Sequence, residues 1–306
     1  MSAEACYPRV RETPNLIISQ TAAEPHSVKI VLIDFHTHST ASDGALSPGD
    51  LVSRARANGV ALLALTDHDL MRGYQEAAAA AVPGQNPTLV PGIELSCRWS
   101  GATIHVVGLG IDAQHQAMES GIAQMAQARQ LRAQKIADRL AARGFPGALA
   151  GAQGEAGESQ LGRPHFARWL VGQGHVKDHK EAFDRLLGQG KPGDVKAFWP
   201  ELATVVQWIT EAGGVAVMAH PLKYRFTGMK LRRLLVDFVA AGGQALEVSS
   251  GRQTADQLRH LLRLAKDFEL EVSVGSDFHR DAPYSADVGV ELTPFAGLPG
   301  VWERWL

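Results

Sequence analysis

Short apolar runs rich in β-branched residues recur along the chain, and segments with helical spacing of apolar positions separate most of them. Such runs are typical of buried strands, whereas apolar positions three and four residues apart indicate amphipathic helices. The predicted strands are Ile30–Phe35, Val60–Leu65, Thr88–Ile93, Thr103–Leu109, Val215–Met218, Ala245–Val248 and Val272–Val274. The predicted helices are Pro48–Asn58, Gly73–Ala81, Leu202–Ala212, Leu231–Ala241 and Thr254–Phe268. This alternation predicts a parallel α/β arrangement, and polar residues recurring at the strand ends favour a closed, distorted (β/α)7 barrel.

The alternation stops between about Ile111 and Pro200, where the sequence has no clear strand pattern. Met118–Arg143 has one long helical pattern, and shorter ones follow at Pro164–Gly172 and Lys180–Leu187. The glycine-rich stretch Gly147–Gly157 is expected to be a mobile loop. We therefore predict a helical insertion that caps the barrel mouth. The predicted divisions are a poorly ordered N-terminal extension at residues 1–29, a barrel domain at residues 30–112 and 201–306, and the insertion domain at residues 113–200.

Composition narrows the class of protein. Of the 306 residues, 45% are hydrophobic and 20% are charged, as is ordinary for a soluble globular protein. The net charge of −2 argues against a sequence-independent grip on long nucleic acid, which needs a basic surface. The two cysteines, Cys6 and Cys97, cannot form a disulfide framework, so a cytoplasmic location is expected. No apolar run approaches the roughly 20 residues that cross a bilayer, so no membrane contact is expected.

Histidine and acidic residues follow the apolar runs where the predicted strands end. His36 and His38 are separated by one residue, so on an extended backbone both point to the same side. Asp277 and His279 repeat that spacing after the last predicted strand. Because the carboxyl ends of barrel strands meet at one face, we expect these side chains to converge although they are far apart in sequence.

Imidazole nitrogens and carboxylate oxygens are ligands of divalent metals. The candidate ligands are His36, His38, Asp43, His68, Glu94, His105, His220, Asp277 and His279. Taken alone, Asp43-Gly44 would indicate a turn, and His105 would indicate a buried core histidine. Because the other candidate ligands recur in the same pattern, metal ligation is the favoured interpretation for both residues. Nine ligands exceed the need of one ion and suit two or three.

These motifs together resemble the PHP (polymerase and histidinol phosphatase) phosphoesterases. The residues that carry the resemblance are Asp34-Phe35-His36-Thr37-His38, Ser42-Asp43-Gly44, Leu65-Thr66-Asp67-His68-Asp69, Gly92-Ile93-Glu94, Ala219-His220-Pro221 and Gly275-Ser276-Asp277-Phe278-His279. Within that family the sequence is most similar to the bacterial 3′,5′-nucleoside bisphosphate phosphatases, the group that includes RNase AM. Asp43 stands where several histidinol-phosphatase-like relatives carry histidine. Three further segments also resemble the bisphosphatase group: Gly162-Arg163-Pro164-His165, Ala219-His220-Pro221-Leu222-Lys223-Tyr224 and Glu247-Val248.

The resemblance implies a distorted barrel, two or three divalent ions, and removal of the 3′-phosphate from a nucleoside 3′,5′-bisphosphate. Manganese is the expected metal, with iron and zinc as alternatives. Strand-end spacing and the resemblance together place one ion among His36, His38, Glu94 and Asp277. Glu94 would bridge to a second ion near His105 and His220, and a third would lie among Asp43, His68 and His279. The expected partners are a small nucleotide and short oligoribonucleotides.

A second phosphate, away from the metals, needs cationic partners. Arg163 is the first candidate because a guanidinium group binds phosphate oxygens bidentately, and Lys223, Arg225 and Arg252 are further ones. The catalytic candidates are His220 and Asp43, either of which could protonate the leaving 3′-oxygen; a metal-bound water is the alternative.

Three rival functions share parts of this pattern. Histidinol phosphate phosphatase uses the same chemistry on a substrate with one phosphate, which would give Arg163 nothing to hold. A 5′→3′ exonuclease on short RNA would share the site but needs an open channel past the cap. A non-catalytic PHP module attached to a polymerase is disfavoured, because such modules often lose ligands and here all nine positions are filled.

Overall fold

The computed structural model describes residues 30–82, 84–283 and 285–306, and the prediction for residues 1–29 lies outside that part of the chain. The strands are β1 (Leu32–Thr37), β2 (Val60–Leu65), β3 (Thr88–Trp99), β4 (Ala102–Leu109), β5 (Val215–Met218), β6 (Ala245–Ser250), β7 (Glu271–Gly275) and β8 (Val290–Glu291). The helices are α1 (Pro48–Ala57), α2 (Arg72–Ala80), α3 (Gln116–Ala141), α4 (Ala148–Ala156), α5 (Arg163–Gly172), α6 (His179–Ala182), α7 (Leu202–Glu211), α8 (Gly228–Ala240) and α9 (Ala255–Asp267). A π-helical turn at Phe183–Leu187 continues α6, and a 3-10 turn at Pro221–Tyr224 follows β5.

The strands form a single sheet in the order β7-β6-β5-β4-β3-β2-β1-β8. The ends of this sheet approach each other through backbone hydrogen bonds between β1 and the residues after β7. The Asp277 amide donates to the His36 carbonyl at 2.8 Å, and the His38 amide donates to the Phe278 carbonyl at 2.9 Å. The sheet is therefore a nearly closed barrel, as the sequence predicts. The two-residue strand β8, which pairs with β1, is too short to leave a periodic pattern.

One expectation about strand direction was wrong, because β4 runs antiparallel to both β3 and β5. Strand β3 continues to Trp99, past its predicted end at Ile93, and returns to β4 through Ser100 and Gly101. Both turn residues have positive φ, 44° and 74°, which is the backbone of a tight two-residue hairpin. Glu94 therefore lies inside a strand instead of at its end.

Gly101→Ala is expected to lower the free energy of unfolding by about 1–2 kcal/mol, because a Cβ disfavours left-handed backbone. Crowding adds nothing, since a Cβ at this position would meet no heavy atom within 4 Å. Gly49→Ala in α1 is the matched control: its Cβ would also enter open space, but its backbone φ is not in the left-handed region. Denaturant unfolding of both variants measures the difference, and equal changes would contradict the strained hairpin turn.

Most of the barrel strands pack on α7, α8 and α9 in one large apolar cluster, in which Ile104, Val206 and Leu234 have no exposed surface. Helix α1 begins as its sequence predicts, with the Ser47 side chain accepting from the Asp50 amide and Pro48 in the first turn. Helix α9 begins with a capping box formed by Thr254 and Gln257. These caps agree closely with the predicted helix starts.

Between β4 and β5 the structure forms α3 to α7 and the π-helical turn, with no strand. This segment has an apolar cluster of its own, to which Ile136, Leu140, Phe166 and Leu170 contribute. The division of the chain into a barrel and an insertion domain stays a prediction. The Gln160 amide donates to the carbonyl of Ala41 at 2.9 Å, so the segment contacts the loop that follows β1.

The expectation of a mobile loop at Gly147–Gly157 was wrong, because Ala148–Ala156 form the helix α4. Alanines recur there every four residues, at Ala148, Ala152 and Ala156, and all three are buried. The flanking glycines have positive φ and mark the ends of the helix. High alanine content and tertiary burial outweigh the glycines, which cost roughly 1 kcal/mol each inside a helix.

In the described part of the chain, no helix combines the length and the apolar character that crossing a membrane requires.

Candidate functional site

The predicted ligands meet at one end of the barrel because they lie within or just after its strands. His36 is near the end of β1 and His38 directly follows that strand, while His220 and Asp277 lie just beyond β5 and β7. His220 has a φ of 28° and Asp277 a φ of 52°, a region that non-glycine residues avoid. Such backbone strain clusters at functional sites, where surrounding contacts maintain it. At Asp277 such a contact is the hydrogen bond that its backbone amide donates to the His36 carbonyl, as described above.

Glu94 is the centre of the cluster. Its side chain is 1% exposed, and its two oxygens lie close to five imidazole nitrogens. The distances are 2.9 Å to His68 Nδ1, His105 Nδ1 and His220 Nε2, 3.3 Å to His38 Nε2, and 3.4 Å to His36 Nε2. A carboxylate surrounded in this way is placed to bridge more than one cation.

Two further carboxylates flank the histidines. Asp277 Oδ1 lies 3.6 Å from His36 Nε2 and 3.5 Å from His38 Nε2. On the opposite side, Asp43 Oδ1 lies 3.4 Å from His279 Nε2 and 3.9 Å from nitrogens of His38 and His68. All nine predicted ligand positions are thus brought into one connected cluster.

The ligand atoms form three compact overlapping groups. These are His36, His38 and Glu94; His68, Glu94 and His105; and His38, Asp43, His68 and His279. They differ from the predicted grouping in two ways. First, His68 lies close to Glu94 as well as to Asp43. Second, His38 belongs both to the group around Glu94 and to the group around Asp43. The parallel bridge between His68 and Glu94 accounts for the first difference, since it draws the end of β2 against the middle of β3.

Many buried polar atoms in the cluster have no hydrogen bond within the described residues. They are His36 Nε2, both ring nitrogens of His38, Asp43 Oδ1, His68 Nδ1, Glu94 Oε2 and His220 Nδ1. Buried polar atoms are normally hydrogen-bonded, so this concentration requires an explanation. The atoms face one another without hydrogen-bond geometry, as ligands around a cation do. The donor set, imidazole nitrogens and carboxylate oxygens without sulfur, fits divalent metal ions.

Two effects set the pKa values of the side chains in the cluster: burial and the charges of the neighbouring side chains. Burial opposes ionisation of Glu94, but the neighbouring histidines hold the pKa of Glu94 well below its usual range. Burial opposes protonation of His36, but two neighbouring glutamates raise the pKa of His36 to about 10. Burial lowers the pKa of His105 and that of His279 to about 4. Metal ligation requires ionised carboxylates and neutral imidazoles, so a cation bound at this site would displace a proton from His36.

The sequence did not single out Glu247 as a site residue. Its Oε1 lies 2.8 Å from His36 Nδ1, and its Oε2 accepts the backbone amide of His220. A carboxylate on one ring nitrogen fixes the orientation of the ring and leaves the other nitrogen for a metal. Glu247 therefore orients the two ligand-bearing segments after β1 and β5. Two signals for it were available: an acidic residue inside the apolar run of β6, and the resemblance of Glu247-Val248 to the bisphosphatase group.

The two aspartates beside His68 anchor backbone segments. Asp67 accepts the Ser39 amide and hydroxyl at 2.8 and 2.7 Å, which fixes the turn after β1. Asp69 accepts the Ser96 amide at 2.6 Å and pairs with Arg129 of α3, whose Nε lies 2.7 Å from Asp69 Oδ2. This ion pair joins the inserted helices to the barrel mouth.

A narrow cavity of about 120 Å³, here called the inner cavity, adjoins the ligand cluster. It is lined by Asp43, His68 and His105 on the barrel side, and by Arg129, Arg132 and Arg163 on the side of the inserted helices. The Arg129 and Arg132 guanidinium carbons lie 5.5 and 5.0 Å from the Trp199 ring centre.

Two of these three arginines carry uncompensated charge. Arg129 is paired with Asp69, but in the described residues neither Arg132 nor Arg163 has a carboxylate oxygen within 4.0 Å. Instead, Arg132 Nε donates to the Val195 carbonyl and Arg163 Nη1 to the Leu187 carbonyl. Burial, followed by the charges of its two neighbours, holds the pKa of Arg132 well below its usual range. Buried cations without anionic partners are costly, so this wall suits an anionic ligand.

The other predicted substrate-binding residues lie differently. Lys223 contacts Asp277 Oδ2 and lines a second cavity, here called the outer cavity. Arg225 is exposed, and Arg252 is exposed with its guanidinium directed at the Pro283 carbonyl. Neither of these two arginines lines the inner or the outer cavity. The structure therefore gives no support to their predicted contact with substrate. Conversely, the sequence analysis missed Arg129 and Arg132, which line the inner cavity but lie within a long helix.

Comparison with known proteins gives consistent results. Residues 34–187 match the sequence model of the PHP domain family. The chain is similar to a 5′-3′ exoribonuclease of Haemophilus influenzae, with 44% identity over 272 residues that cover 89% of this chain and 98% of the relative. It is also similar to a 3′,5′-nucleoside bisphosphate phosphatase of Chromobacterium violaceum, with 43% identity over 258 residues that cover 84% of this chain and 90% of the relative.

The fold has a counterpart among solved structures. An amidohydrolase from Chromobacterium violaceum, solved with bound sulfate and without metal, superposes with a TM-score of 0.80 and 40% sequence identity. The superposition covers 89% of this chain and 95% of the other. The similarity therefore extends over the barrel and the inserted helices together.

Proposed function

The chain belongs to the PHP domain family, and from that premise we propose that it hydrolyses the 3′-phosphate of nucleoside 3′,5′-bisphosphates. One observation carries the proposal: the inner cavity has a metal-ligand cluster on one wall and three guanidinium groups on the other. A substrate with a reacting phosphate and a second phosphate matches both walls. A bisphosphate phosphatase among the relatives supports the same reaction.

Two or three divalent ions would be held by the nine clustered ligands, with Glu94 shared between them. When bound, such ions supply hydroxide at neutral pH and neutralise phosphate oxygens. Manganese is the proposed metal, with iron and zinc as alternatives, because imidazole and carboxylate ligands suit all three. Glu247 would keep the His36 ring oriented toward its ion.

The protein's own groups would bind and orient the substrate. Arg132 and Arg163 would hold the 5′-phosphate, because their charges are otherwise uncompensated, and Arg129 would be positioned by Asp69. Binding at both phosphates would fix the 3′-oxygen relative to the metal cluster, which favours reaction by restricting motion. Asp43 and His220 remain the proposed carriers of the proton that the leaving 3′-oxygen takes up.

Arg163→Ala is expected to lower kcat/KM for adenosine 3′,5′-bisphosphate by about ten- to a hundred-fold, because a charge-assisted contact contributes on the order of 1.5–3 kcal/mol. Hydrolysis of adenosine 3′-monophosphate, which lacks the second phosphate, should change little. Steady-state kinetics on the two substrates measures the difference.

Arg252→Ala is the matched control for this experiment, because Arg252 is an exposed arginine outside the inner cavity. It should leave both substrates unaffected. Equal losses on both substrates in Arg163→Ala would mean that Arg163 serves the reacting phosphate or the fold. The bisphosphate assignment would then lose its residue-level support.

A second candidate, 5′→3′ exoribonuclease activity on short RNA, is favoured by the outer cavity. Cleavage within RNA requires space beside the reacting phosphate for the rest of the chain. The outer cavity opens next to His105 and has a volume of about 300 Å³. The exoribonuclease among the relatives supports this candidate independently.

A further inference from the structure

A tyrosine side chain enters the hydrogen-bond ladder between β4 and the end of β5. The register of these antiparallel strands, continued by one position, places His105 opposite Ala219. Such a pair normally exchanges two direct bonds, one from each amide to the opposite carbonyl. One of them is present, because the Ala219 amide donates to the His105 carbonyl at 3.2 Å. In place of the other, the His105 amide donates to the Tyr224 hydroxyl, which donates to the Ala219 carbonyl, at 2.9 Å in both bonds.

The inserted hydroxyl separates the two strands on one side of this pair. A direct bond between amide and carbonyl spans about 2.9–3.0 Å, whereas here an oxygen atom and two bonds lie between the same groups. Directly after this point His220 has its φ of 28°, and the 3-10 turn at Pro221–Tyr224 follows. The Tyr224 ring lies edge-on to the His220 ring, with 5.5 Å between their centres. The hydroxyl therefore sets the spacing between His105 on one strand and His220 beyond the other.

These two histidines converge on one oxygen of Glu94. Glu94 Oε1 lies 2.9 Å from His105 Nδ1 and 2.9 Å from His220 Nε2. The two imidazole rings are 5.2 Å apart between their centres. His68 lies instead against Oε2, at 2.9 Å. A change in the spacing between β4 and the end of β5 would thus alter the ligands around Oε1 and leave those around Oε2 in place.

We propose that Tyr224 is a positioning residue for the metal centre. Its hydroxyl fixes the separation of His105 and His220, and thereby the place of the ion that these histidines share with Glu94. The proposal rests on the metal centre of the proposed function. In the described residues the hydroxyl has its hydrogen-bond contacts with backbone atoms of His105 and Ala219, so it acts on the ligands through the main chain.

Tyr224→Phe removes the hydroxyl and keeps the ring. The His105 amide and the Ala219 carbonyl must then pair directly or stay unpaired, and either outcome changes the spacing of the two histidines. We expect the affinity for one ion to fall about ten- to a hundred-fold, the usual cost of losing a group that orients metal ligands. Calorimetric titration of the stripped protein with manganese measures this affinity without any substrate, and elemental analysis counts the ions that remain after dialysis.

Steady-state kinetics distinguishes positioning of the metal from binding of the substrate. At a manganese concentration that just saturates the wild type, kcat of Tyr224→Phe on adenosine 3′,5′-bisphosphate should fall by about ten- to a hundred-fold. KM should change less than about two-fold, because the hydroxyl is not a substrate contact in this proposal. A correspondingly higher manganese concentration should restore kcat. Circular dichroism of the stripped proteins shows whether the fold is retained.

Tyr74→Phe is the matched control. Tyr74 is a half-buried tyrosine that packs on two apolar clusters and lies outside the ligand groups and both cavities. It should keep the metal affinity and the kinetics of the wild type. Wild-type metal affinity in Tyr224→Phe, with or without a raised KM, overturns the proposal. Wild-type protein that binds manganese but does not hydrolyse the bisphosphate contradicts the proposed phosphatase function instead, and the titration still decides the role of Tyr224.

Amide hydrogen exchange in stripped wild-type protein tests the same contact without a substitution. The His105 amide should exchange slowly, as the Val107 amide of the regular ladder does, because a bonded amide exchanges only when the structure opens. NMR spectroscopy resolves the two amides. A His105 amide that exchanges as fast as an unprotected one overturns the proposal, even if Tyr224→Phe does not fold.

Discussion

Glu94→Gln is expected to remove nearly all hydrolytic activity while the fold is retained. Glutamine has almost the same shape as glutamate, so the packing around this buried position should persist. It lacks the negative charge that five neighbouring imidazoles now share. Loss of a shared ligand removes several kcal/mol of charge stabilisation, which corresponds to roughly a thousand-fold in rate.

The experiment compares kcat, metal content and circular dichroism for Glu94→Gln and the wild-type protein. Glu201→Gln is the matched control, because Glu201 is an exposed glutamate that pairs with Arg98 on the surface. The control should keep full activity and metal content. A Glu94→Gln protein that binds as much metal as the wild type and retains more than about a tenth of its activity would contradict the central role of Glu94.

The barrel could be predicted from sequence because its strands are apolar, short and separated by amphipathic helices. Strand β2, for example, has the predicted boundaries, Val60–Leu65. The positions of His36, His38 and Asp277 followed from the same pattern, since strand ends of a barrel share one face. Polar residues that recur at the ends of apolar runs are therefore informative even when hundreds of residues separate them.

The direction of β4 could not be predicted in the same way. A buried strand has the same apolar pattern whether its neighbours are parallel or antiparallel. The turn at Ser100-Gly101 is the feature that decides, because it is too short for a crossover helix. The sequence pattern of β3 ended at Glu94 only because a charged residue interrupts the apolar run.

The arginines that line the inner cavity show a second reason why the site could not be fully predicted from sequence. Arg129 and Arg132 belong to α3, where charged residues normally indicate a solvent-exposed face. Both are largely buried, at 8% and 7% exposure, because the inserted helices fold back over the barrel mouth. Only the packing of α3 against Trp199 and Asp69 distinguishes these two arginines from surface ones. Tertiary structure therefore decides their role, and helical periodicity alone does not.

Removal of divalent metal is expected to abolish activity completely and to lower the thermal stability of the protein. The site concentrates buried nitrogen and oxygen atoms that have no hydrogen-bond partner in the described residues. Ions that bind the folded state alone stabilise it according to their concentration relative to Kd. At a thousand-fold excess over Kd, one site contributes about 4 kcal/mol. Manganese, iron or zinc should restore both properties, and manganese is expected to restore the highest activity.

Dialysis against a chelator, followed by elemental analysis, activity assays and thermal unfolding, measures these effects. Stripped Glu94→Gln protein is the control, and added metal should raise its melting temperature much less than that of stripped wild-type protein. The comparison separates specific binding at the cluster from general effects of the cation. Full activity in wild-type protein with less than about a tenth of an ion per chain would exclude the proposed metal centre, because hydroxide at neutral pH would then need another source.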